Sequence, residues 1–67
     1  HLLSLARIYS LANNTKMALD FLRRAAVRLG PELVELSWDP AFDNIRRTQE
    51  FQQLIRDAKK KDGDRKP

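Results

Sequence analysis

Cysteine is missing from this 67-residue chain, and histidine occurs once, at position 1. Without thiols there is no disulfide and no thiolate metal site, and a lone terminal imidazole has no second one to share an ion with. The same histidine leaves no interior partner for a Ser-His-Asp set. Glycine occurs only at Gly30 and Gly63, so no glycine-rich loop can cradle a phosphate. No apolar run approaches the ~20 residues of a membrane span, and no secretory leader is visible. Catalysis, a metal and a cofactor are therefore not expected. The chain opens at His1, inside an apolar helical pattern rather than at a methionine, which suggests a piece of a longer polypeptide.

What remains must fold by packing. A chain of this length buries only about 60% of its unfolded surface, so it leans on close helix packing or on a partner. Charge is segregated. Residues 1–30 carry five basic groups against one acid, residues 31–57 three against six, and residues 58–67 five against two. The basic excess at the end reads as a tail, residues 61–67, outside the folded part.

In "LLSLARIYSLA" the residues Leu2, Leu5, Ala6, Tyr9 and Ala12 fall three or four apart, as one stripe of a helix does. Asn13 and Asn14 break that helix, and Thr15 is the expected N-cap of the next. The second helix, about Lys16 to Leu29, turns Ala18, Leu22, Ala25, Ala26 and Leu29 inward, with Phe21 at a margin. Its outer face carries Lys16, Asp20, Arg23, Arg24 and Arg28. Gly30-Pro31 ends it: one residue can turn left-handed and the next cannot continue a helix. Ala6, Ala18 and Ala25 allow close approach, so residues 1–30 read as a tight antiparallel hairpin.

Residues 31–60 read as short helices. "PELVELSW" is expected to turn Leu33, Val34 and Leu36 inward. Asp39 is an N-cap ahead of Pro40, whose missing N–H matters least at the first helical position. Phe42 and Ile45 then share a face of a two-turn helix. Thr48 caps another, Glu50 sits near its positive end, and Phe51, Leu54, Ile55 and Ala58 make its inner stripe. Asp39 and Asp43 lie four apart, but a cap and a first-turn acid account for them better than an acid–base pair. Trp38 could stand exposed as an anchor for a partner, but its large apolar area favours a place where this segment meets the hairpin.

The hairpin resembles the tetratricopeptide repeat, W-x2-L-G-x2-Y…A-x3-F…P. The matching residues are Leu2-x2-Leu5-Ala6-x2-Tyr9, then Ala18-x3-Leu22, then Pro31. The C-terminal half resembles the terminal segment of bacterial tetratricopeptide proteins, D-P-x-F-D-P-L-R-x-D-P-x-F-x-x-L-L. Here it runs Asp39-Pro40-x-Phe42-Asp43-x-Ile45-Arg46, then Phe51 and Leu54-Ile55, with Asn44 and Gln49 in place of prolines and Thr48 in place of an aspartate. The resemblance implies an all-α fold: the last hairpin of an α-solenoid, closed by short capping helices. Tyr9, Trp38, Phe42, Ile45, Phe51 and Leu54 would form the capping core. It also implies a non-catalytic protein–protein interaction scaffold in a bacterial cytoplasm.

In that family the first helix of each repeat lines a peptide-binding groove, and the groove-lining positions fall on Leu3, Arg7 and Ser10. A protein or peptide is thus the expected partner, with a homodimer through the open hairpin face as a further possibility. The alternative is an anion- or nucleic-acid-binding accessory domain using the Arg23, Arg24 and Arg28 band and the tail. No aromatics interleave with that band, which weighs against nucleic acid.

Overall fold

The computed structural model describes residues 1–65, with side-chain surroundings for residues 1–61. Three α-helices, α1 (Leu2–Leu11), α2 (Thr15–Leu29) and α3 (Gln49–Arg65), are joined by two 3-10 segments, Gly30–Trp38 and Pro40–Phe42. No strand occurs among the described residues.

The turn between α1 and α2 is a Schellman motif. Asn13 takes a left-handed φ of 63°, its N–H bonds to Ser10 O, and Asn14 N–H bonds to Tyr9 O at 2.8 Å. This geometry moves the cap by one residue. Asn14 stands outside the helix and its Oδ1 accepts from Met17 N at 3.3 Å, while Thr15 is already the first helical residue. The cap expected at Thr15 is therefore Asn14. At the far end Gly30 closes α2 with φ 56° and ψ −129°, a conformation that side chains disfavour.

α1 and α2 pack against each other, as the small residues foretell: Ala6, Ala18 and Ala25 are buried at their contact. The inner face of α1 is rotated from the expected stripe. Ala6 and Ser10 are fully buried and Leu3 and Tyr9 pack on the core, whereas Leu5 and Ala12 point outward. Leu19 joins the core of α2 beside Leu22.

Gly30–Trp38 is a long 3-10 run. At three residues per turn, positions three apart eclipse one another, so Leu33 and Leu36 line up on one edge and face the core together. α3 lies mainly against this segment and also touches α2, while Pro40–Phe42 lies against α1. The expected two-turn helix from Pro40 is instead a chain of tight turns. Bonds from Phe42 to Asp39 O, Asp43 to Pro40 O, Ile45 to Phe42 O and Thr48 to Ile45 O each span three residues.

α3 is no clipped helix: it runs 17 residues, through residues 61–65 that the sequence assigns to a tail. Residues 66 and 67 of that tail lie outside the described part. Phe42, Ile45, Phe51, Ile55 and Ala58 join Ala6, Ala18, Leu19, Leu22 and Leu33 in one buried cluster. Phe42 and Phe51 meet at its centre with ring centroids 6.1 Å apart.

Candidate functional site

The turns after Trp38 settle on the side of α1 that the repeat resemblance marks for a partner. Arg7 Nε donates to Asp39 Oδ2 at 2.9 Å, and Asn44 Nδ2 donates to Ser10 O at 2.9 Å. Ser10 is fully buried, and its Oγ makes no hydrogen bond among the described residues. Leu3 packs on the core and borders a shallow depression of about 330 Å³ with Leu2, Ala25 and Leu29. Of the three expected partner-binding residues, then, Ser10 is sealed, Arg7 is turned to Asp39, and Leu3 retains only an edge. The chain itself occupies that face.

Asp39 is the hinge of this closure. Its Oδ1 accepts from Ala41 N at 2.9 Å, capping the Pro40–Phe42 turn, while Oδ2 holds Arg7. The Ala41 N–H is the main cause that holds its carboxyl below the ordinary range, followed by the Arg7 hydrogen bond; partial burial opposes both. Arg46 locks the turn from the other side, with Nε to Ser37 O at 2.8 Å, Nη2 to Asp39 O at 2.9 Å and an ion pair to Asp43. The sequence pattern gives Arg46 no role. One arginine satisfies carbonyls left over where helical turns are too short to pair their own.

Thr48 Oγ1 accepts from Phe51 N at 3.2 Å at the start of α3. Leu54 is partly buried against the core, and Tyr9 stacks on Phe21 with centroids 5.5 Å apart and planes 11° apart. Trp38 departs from expectation. It ends the 3-10 run 81% exposed, because the edge that carries Leu33 and Leu36 inward lies off its own position.

Two surfaces stay open. On α1, Leu5, Ile8 and Leu11 are 37%, 60% and 67% exposed, three apart on the side away from Ala6 and Ser10. The sequence hints at this face, since Leu2, Leu3, Leu5, Ile8 and Leu11 are more apolar positions than one stripe can hold. On α2, Arg23, Arg24 and Arg28 are exposed, but Arg24 pairs with Asp20 at 3.1 Å and stands over the Phe21 ring at 5.6 Å. Among the described residues no cluster of His, Cys, Asp or Glu could hold a metal ion, and no helix is long and apolar enough to cross a membrane.

Comparison with known proteins finds no match to a family model, a curated protein or a solved structure.

Proposed function

We propose that this chain is a non-catalytic protein–protein interaction module: the last repeat and cap of a tetratricopeptide-type α-solenoid. The observation that carries the reading is the asymmetry of α1. One side is sealed by residues 39–45, and the other offers Leu5, Ile8 and Leu11 to whatever stacks on it. A terminal repeat needs that combination, because stacked hairpins bury a continuous core and the last one requires a closed outer side. The reading also places the chain in a cytoplasmic setting of the kind such scaffolds occupy.

Fusion tests it directly. Joined to the C-terminus of an idealised tetratricopeptide array, the chain is expected to raise the array's unfolding midpoint above that of the uncapped array, as a nearest-neighbour interface does. The same fusion carrying Ile8→Lys and Leu11→Lys is expected to lose that gain. If the parent and substituted fusions both melt like the uncapped array, the chain is not a cap.

A further inference from the structure

Trp38 is the only tryptophan of the chain and stands outside its core. Burial of a large aromatic is among the strongest contributions available to a small domain, yet here the indole is left to water. It forms one wall of a groove of about 360 Å³ between the end of the 3-10 run and α3. The floor is apolar, made by the edges of Phe51 and Ile55, and the remaining walls carry Arg46, Arg56 and Lys59. No carboxylate among the described residues lines it. Arg46 is already committed to Asp43, Ser37 O and Asp39 O, so it shapes the wall rather than offering charge. Arg56 is bonded only to the neutral Gln53 Oε1, at 3.0 Å.

We infer that this groove is a docking site for a short acidic peptide segment bearing a large apolar side chain. The volume falls in the range of ligand-binding clefts and suits one bulky side chain laid between the indole and the Phe51–Ile55 floor. Carboxylates on either side of it would meet Arg56 and Lys59, giving charge complementarity. An exposed tryptophan at a shallow, cation-rimmed site is also the residue type that dominates interface energetics. Nucleic acid fits the same surface less well. Binding a strand takes a succession of stacking platforms along a basic track, and this groove has one aromatic wall and an apolar floor. The inference builds on the interaction-module reading but uses a different face from the one that would stack on a solenoid.

The test needs no label, because Trp38 is the sole indole. A blocked Glu-Asp-Leu-Phe-Glu-Asp peptide is titrated into the 67-residue chain at low salt while tryptophan emission is followed. A saturable blue shift is expected as apolar groups displace water from the ring. The acidic peptide is expected to bind Arg56→Gln about tenfold more weakly, the loss for one charge-assisted contact. The amide counterpart, Gln-Asn-Leu-Phe-Gln-Asn, is expected to bind the parent about a hundredfold more weakly, the loss for two. Arg56 is exposed, so circular dichroism should show its variant folded. Absence of a saturable shift at millimolar peptide overturns the proposal. So does equal binding of the amide peptide, of an acidic peptide with glycines in place of Leu-Phe, or of a thymidine oligonucleotide. Any of those failures leaves the capping role standing, since that is read from the melting of a fused array.

Discussion

The two sides of α1 lie on the same ten-residue helix and meet opposite fates. Ala6 and Ser10 are fully covered, whereas Ile8 and Leu11, two and one residues away, are mostly exposed. Composition does not separate them, because the exposed side is the more apolar one and the covered side includes a serine. What separates them is the packing of α2 on the Ala6 side, completed by contacts made more than thirty residues later in the chain, where Asp39 meets Arg7 and Asn44 meets Ser10 O. The lesson is that hydrophobicity marks which faces need cover, while hairpin packing together with the capping and turn chemistry at 39–48 decides which face receives it.

The comparison is broken most severely by removing the cover. Phe42→Ala should cost about 3–5 kcal/mol, the range for a large buried aromatic. In so small a domain that approaches the whole stability, and urea unfolding should show little or no native baseline. Asp39→Ala should cost less, about 1–2 kcal/mol, since it removes a turn cap and a partly exposed ion pair together.

Asp39 also gives the contrast a pH signature. Its folded carboxyl is held below the ordinary value, so its stabilisation is fully present above about pH 4, the unfolded value. It is lost as pH falls through the folded pKa, because there the folded state must also take up the proton. Asp39→Asn should therefore be less stable at neutral pH and flatter below pH 4. Parallel pH profiles for the two proteins would count against the Arg7–Asp39–Ala41 arrangement.

Smaller effects sharpen the picture. Asn14→Ala should cost about 1 kcal/mol and Thr15→Ala only a few tenths, since Asn14 holds the cap. Ile8→Lys on the open side should change the stability of the chain by less than about 0.5 kcal/mol. If Ile8→Lys destabilised as strongly as a core substitution, the open side would not be open.

Much of the hairpin is legible in the sequence because its signals are local. Helical spacing, the Asn13-Asn14 break and Gly30-Pro31 each act within a few residues. Phe42, Ile45 and Phe51 are legible as core residues for the same reason: apolar groups that follow caps at fixed offsets have one side on which to lie. Trp38 is not, because its expected place rests on its large apolar area alone, and the 3-10 period of Gly30–Trp38 turns its last residue away from the core. Leu3, Arg7 and Ser10 fall in a partner groove by resemblance alone, and no local pattern could show that residues 39–45 lie there first. Arg46 has no local signature because its role is to satisfy carbonyls, which become unpaired only once the turn geometry is known.

Amide hydrogen exchange across α1 and α2, compared between the parent chain and the double variant Phe42→Ser and Phe51→Ser, tests the account at its base. If residues of the C-terminal half keep the hairpin folded by shielding one side of it, α1 and α2 amides should be protected in the parent and exchange near unfolded rates in the variant. A variant that stays folded with those amides still protected would show that the hairpin stands without its cover.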